Sequence, residues 1–160
     1  PIEADWLFVG EAPGSEEDKQ GLPFVGRAGQ LLNSILFSIE LARDKVYITN
    51  VLKCRPPQNR DPMGEELSQC EPFLHDQIGR IKPEIIVAMG RFAAQALLKS
   101  TASIAELRGR QHEYSELKIP LVVTYHPAYL LRSLLEKKKV WDDLRFAKSL
   151  LDGSESEWSV

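Results

Sequence analysis

Four short apolar runs punctuate the chain: Trp6 to Val9, Val46 to Thr49, Ile85 to Met89 and Leu121 to Thr124. Each has the length and side-chain type of a buried strand. Between them, Ala28 to Ile39, Gly64 to Ile81 and Arg91 to Lys99 carry apolar residues at helical spacing, with Gly, Pro or Asn at their borders. Strand and helix therefore alternate. The alternation predicts right-handed crossovers and an α/β fold: three layers, α/β/α, around a four-stranded, mostly parallel central sheet. One domain over residues 1–151 is expected, followed by a polar, frayed tail at 152–160.

Open sheets of this kind bind ligands outside the carboxyl ends of their strands. Three of the four runs lead straight into unusual polar turns: Gly10-Glu11-Ala12-Pro13-Gly14, Asn50 with Lys53-Cys54-Arg55-Pro56-Pro57, and Tyr125-His126-Pro127-Ala128-Tyr129. A parallel sheet puts all three at one edge. The fourth run ends at Gly90-Arg91-Phe92, which reads equally as a phosphate-holding helix start or as a plain strand-to-helix turn.

Composition narrows the function without naming it. A formal net charge of −3 argues against coating nucleic acid by bulk electrostatics, so any nucleic-acid footprint has to be confined to one face. No apolar run approaches the roughly 18 residues of a membrane span, and two cysteines are too few for a disulfide scaffold. A soluble, cytoplasmic protein without membrane attachment is expected. The glycine-rich stretch from Gly10 to Gly29 is not a dinucleotide fingerprint, because its glycine spacing is wrong and a proline interrupts it, and it lacks the lysine of a phosphate loop.

Taken together, three motifs resemble the family 4, iron–sulfur type, uracil-DNA glycosylases. They are Gly10-Glu11-Ala12-Pro13-Gly14 continuing to Pro23-Phe24-Val25-Gly26, then Thr49-Asn50-Val51-Leu52-Lys53-Cys54-Arg55-Pro56-Pro57-Gln58-Asn59-Arg60, then His126-Pro127-Ala128-Tyr129-Leu130-Leu131-Arg132. The likeness runs from about Trp6 to about Ala147, with every motif in order. It implies an enzyme that flips uracil out of single- or double-stranded DNA and hydrolyses its N-glycosidic bond, acting as a monomer.

The same resemblance implies roles. His126 is the hydrogen-bond donor to the uracil O2, and with Glu11 it makes up the catalytic pair. Asn50 reads the uracil edge, offering an acceptor for N3–H and donors for O4, which is the reverse of what cytosine needs. Phe24 stacks on the base, while Ala12 and Glu17 complete the pocket, Glu17 on the wall facing the thymine methyl. Other members of the superfamily carry aspartate where this chain has Ala12, which leaves the general base open. Leu130 and Leu131 form an apolar wedge for the vacated stack. Arg55, Asn59, Arg60 and Arg132 hold phosphates. Lys137-Lys138-Lys139 reads as a solvated helix face.

Cys54 and Cys70 match two of the four thiolate ligands that the family gives a [4Fe–4S] cluster. The other two lie upstream of the first strand in the family, so the sequence reads as a fragment of a longer chain. Two competing readings make different demands. A non-enzymatic DNA- or base-binding module derived from such an enzyme predicts loss of Asn50 or His126, and a generic nucleotide-binding domain predicts a lysine-bearing phosphate loop. The sequence meets neither demand.

Overall fold

The computed structural model describes residues 5–11, 26–41, 43–51 and 74–152. Its core is a sheet of five strands in the order β2-β1-β3-β5-β4. These are β1 (Trp6–Gly10), β2 (Val46–Asn50), β3 (Ile85–Met89), β4 (His112–Tyr114) and β5 (Ile119–Thr124). The four strands expected from the apolar runs are all present and mutually parallel. The fifth, β4, was not expected. It runs antiparallel along β5, pairing Tyr114 with Ile119 and His112 with Leu121. Only three residues long, with just Tyr114 buried, it lacks the continuous apolar run that marks a strand covered on both faces.

Helices cover both faces. On one lie α1 (Arg27–Ser38), α5 (Pro127–Arg132) and α6 (Lys137–Asp152). Leu32, Ile35, Leu36, Leu130, Val140, Leu144 and Ala147 of these helices pack with Trp6, Phe8, Ile48, Val87 and Val122 of the sheet. The other face carries α2 (residues 74–81), α3 (Arg91–Leu98) and α4 (Ile104–Leu107). Their Leu74, Ile78, Ala93, Ala94, Leu97 and Leu107 meet Leu7, Val9, Ile86, Ala88, Leu121 and Val123. Trp6 and Phe8 thus face one way and Leu7 and Val9 the other, as the two-residue period of a strand requires. The helix expected over Gly64 to Ile81 is described from residue 74 onward. Its earlier part and the tail after Asp152 lie outside the described residues. Among the described residues no helix is long and apolar enough to cross a membrane.

The connectivity positions the site. From β1 the chain passes over the α1 face to β2 on one side, then returns over the α2 face to β3 on the other. Strand order therefore reverses between β1 and β3, and the loops leaving these two strands diverge to opposite faces. A crevice at their carboxyl ends is the consequence.

Candidate active site

Four chain segments leave the carboxyl edge of the sheet: Glu11 after β1, Asn50 and Val51 at the end of β2, Gly90 after β3, and Tyr125-His126 after β5. The edge is tied together by backbone hydrogen bonds. Gly10 pairs with Asn50, the Val51 amide donates to the Gly10 carbonyl at 2.8 Å, and the Gly90 amide donates to the Thr124 carbonyl at 2.9 Å. Of the three expected turns, the described parts share this edge.

Asn50 is 8% exposed, so its amide is an almost fully desolvated polar group at the floor of the edge. It follows Ile48 by two residues, which puts it on the face covered by α1, α5 and α6. Glu11 is half-buried. Tyr47 and Thr49, on the opposite face of β2, are linked to α2: the Thr49 hydroxyl donates to Gln77 Oε1 at 3.0 Å, and Gln77 Nε2 donates to the Tyr47 hydroxyl at 3.1 Å.

His126 is the N-cap of α5, followed by Pro127 at the first helical position, where a missing N–H costs nothing. The Ala128 amide donates to His126 Nδ1 at 3.0 Å. An accepting Nδ1 carries no proton, so the neutral ring holds its hydrogen on Nε2. The bond that caps the helix therefore also chooses the tautomer.

Gly90 sets the position of that ring. Its backbone lies at φ 93° and ψ 166°, a region that side chains avoid, and a methyl group here would meet His126 Cβ at 3.2 Å. The sequence marks Gly90 as a strand-to-helix glycine but gives no sign that a distant histidine rests on it. Gly90→Ala is expected to cost about 1–3 kcal/mol of backbone strain. Because the His126 Cβ must move by a fraction of an ångström, turnover should drop on the order of tenfold. Thermal melting and kcat measured on the same variant check both effects, and an unchanged kcat would separate Gly90 from the site.

The remaining expected residues divide. Leu130 is fully buried in the core cluster under α1, so it offers no surface to a nucleic acid in this structure, and the wedge expected there is reduced to the half-buried Leu131. The physical reason is that α5 is amphipathic: its inward positions are Pro127 and Leu130. Arg132 is exposed at the end of the same helix. In the lysine run, Lys138 pairs with Asp142 at 3.1 Å and Lys139 with Glu136 at 2.7 Å, the local pairing of a solvated helix. Ala12, Glu17, Phe24, Cys54, Arg55, Asn59, Arg60 and Cys70 lie outside the described residues. Among the described residues no group of three or more His, Cys, Asp or Glu side chains could hold a metal ion. A cavity of about 680 Å³ opens on the α2 and α3 face, lined by Val51, His75, Gln95, Lys99 and Tyr114. Among the described residues, the expected base contacts Glu11, Asn50 and His126 do not line it.

Beneath the His126 turn lies a buried polar group that sequence reasoning did not single out. Asp143 of α6, 4% exposed, accepts from Arg108 Nε at 3.1 Å and Nη2 at 2.9 Å, and from the Thr124 hydroxyl at 2.7 Å. Burial pushes its carboxyl above the usual carboxylate range, while the Thr124 hydroxyl and the Arg108 guanidinium pull the other way. One signal was available: Asp143 sits among Val140, Leu144 and Ala147, on the apolar stripe of its helix.

Fold and site together define a doubly wound α/β domain whose carboxyl edge carries the buried Asn50 amide and a tautomer-fixed histidine. Residues 1–145 match the family described as the Uracil DNA glycosylase superfamily. The chain is 48% identical over 134 residues to a type-4 uracil-DNA glycosylase of Archaeoglobus fulgidus, covering 80% of this chain and 67% of that protein. It is 44% identical over 154 residues to one of Sulfurisphaera tokodaii, covering 92% and 70%. With one of Thermotoga maritima it shares 45% over 148 residues, covering 91% and 77%. The chain belongs to the uracil-DNA glycosylase superfamily, in its type-4 branch.

Proposed function

We propose that this chain removes uracil from single- and double-stranded DNA by hydrolysing the bond between uracil N1 and the deoxyribose C1′, acting as a cytoplasmic monomer through the domain at 1–151. The observation that carries the reading, beside the family, is the His126 ring with its Nδ1 occupied by a backbone amide at the same sheet edge as Asn50. As the glycosidic bond breaks, its electron pair leaves with uracil and spreads onto O2 and O4. His126 Nε2–H donates to O2 where that charge develops, and a fixed dipole in a site shielded from water stabilises the anion without reorganising. The sugar becomes an oxocarbenium-like cation, which Glu11 stabilises while it positions the attacking water. Water adds to C1′ and loses a proton, a proton neutralises the departing uracil anion, and an abasic site and free uracil remain.

Extrusion of the base costs a few kcal/mol of unstacking. Stacking on Phe24, worth about 1–3 kcal/mol, offsets part of it. Insertion of Leu131 into the gap offsets more. Arg55, Asn59, Arg60 and Arg132 hold the backbone, and Glu17 with Ala12 shapes the pocket around uracil C5. Cys54 and Cys70 would supply two of the four thiolates that a [4Fe–4S] cluster takes, and the two cysteines of this chain do not complete that set.

Asn50→Ala tests the reading. It deletes two hydrogen bonds to the uracil edge at about 1–1.5 kcal/mol each, so kcat/KM for uracil excision should fall about a hundredfold. End-labelled DNA carrying a single uracil is incubated with each protein, treated with alkali and resolved for strand breaks. A parent protein that leaves the uracil strand intact, or an Asn50→Ala variant that cuts it equally fast, rejects the assignment.

A further inference from the structure

The polar cluster beneath the catalytic turn is more elaborate than an ion pair needs to be. Arg108 and Asp143 satisfy one another through two parallel bonds, and Arg108 Nη2 also donates to the Lys139 carbonyl at 3.2 Å. The carboxylate nonetheless takes a third bond from Thr124, the last residue of β5 and two positions before His126. Thr124 is itself held twice. Its hydroxyl reaches α6 through Asp143, and its carbonyl accepts from Gly90, the residue on which the His126 Cβ rests. Tyr125, between Thr124 and His126, stacks on Tyr129 with ring centroids 5.1 Å apart, and the Arg108 guanidinium carbon lies 5.8 Å from its ring centre.

We propose that Asp143, held by Arg108 and acting through the Thr124 hydroxyl, is a positioning residue that sets the depth and orientation of His126 in the crevice. The inference rests on the uracil-excision reading of the site. Burying a charged pair is rarely the cheapest way to stabilise a core, whereas fixed hydrogen-bond geometry is something an apolar contact does not provide. Here the fixed element is the end of the strand that delivers the histidine. Thr124→Val removes the third bond while keeping side-chain shape, and it leaves Asp143 paired with Arg108. Thr124→Ser keeps the hydroxyl.

Single-turnover kinetics on uracil-containing DNA are measured for the parent, Thr124→Val, Thr124→Ser and each threonine variant combined with His126→Ala, beside thermal melts. Thr124→Val is expected to lower the rate of bond cleavage roughly tenfold through misplacement of His126. The protein concentration giving half the maximal single-turnover rate should stay within about twofold, since ground-state DNA binding is untouched. Thr124→Ser should restore the rate. In the His126→Ala background the valine substitution should slow nothing further, because the group being positioned is gone. Nitrogen NMR of the His126 ring gives a readout independent of turnover, with the single Nε2–H tautomer of the parent and Thr124→Ser giving way to a mixture in Thr124→Val.

A Thr124→Val protein that cleaves at the parental rate overturns the proposal. So does one whose deficit persists at full size without His126, which would mark a purely structural bond. A folded parent that excises no uracil ends the functional reading and this inference together, an outcome distinct from either of those.

Discussion

His126→Ala is expected to lower the rate of uracil release by about 10²–10³, equivalent to the roughly 2.7–4 kcal/mol that one preorganised donor supplies to a developing oxyanion. The loss should appear in kcat, because the charge on uracil O2 exists only as the bond breaks. Since His126 also caps α5, part of the phenotype of an alanine variant is structural. His126→Asn separates the two roles. Asparagine is among the preferred N-caps and its oxygen can accept from the Ala128 amide, so the melting temperature should stay near the parent's. Its shorter side chain withdraws the donor from the crevice, so excision should remain slow. A His126→Asn enzyme with parental activity would show that the imidazole donor contributes nothing to the reaction.

Arg108→Met is the substitution expected to cost the most stability. It leaves the Asp143 carboxylate, 4% exposed, with the Thr124 hydroxyl bond but without the bidentate guanidinium. Removing one partner of a buried pair typically costs about 3–5 kcal/mol. For a domain of this size that is a fall of about 6–20 °C in melting temperature. The pH dependence has a definite sign. Burial already raises the Asp143 carboxyl, and loss of the guanidinium raises it further. A group whose folded-state affinity for protons exceeds that of the unfolded chain makes stability fall as pH rises between the two titrations. The Arg108→Met deficit should therefore be fully present at neutral pH and shrink in acid, as Asp143 takes up a proton. Melting curves across acidic and neutral pH measure it directly. A deficit that is independent of pH would mean that the guanidinium contributes by packing rather than by charge.

The two substitutions act on one architecture from opposite sides. His126 is held from above by the Ala128 amide and from beside by Gly90, and the strand that carries it is anchored from below by Asp143. Under the proposed function, rigidity of this kind would let a neutral imidazole serve as an effective donor, because a preorganised dipole needs no reorientation in the transition state.

What the sequence determined by itself follows from patterns that are local and periodic. Trp6–Gly10, Val46–Asn50, Ile85–Met89 and the end of Ile119–Thr124 are strands covered on both faces, so their apolar runs are continuous and legible. Alternation with helices then implies parallel pairing, and parallel pairing places Glu11, Asn50 and His126 at one edge. Motif resemblance supplied the chemistry proposed for them. The tertiary structure alone decided the rest. The antiparallel edge strand His112–Tyr114 is too short and too exposed to be seen as a pattern. Leu130 and Leu131 are chemically identical neighbours, yet one is core and the other reaches the surface, because only the docking of α5 against α1 says which side faces inward. Gly90 under His126 and Arg108 against Asp143 join positions 36 and 35 residues apart, and Asp143 reaches Thr124 across 19. No local propensity encodes such contacts, because their energy comes from burial and geometry that exist only once the layers have closed.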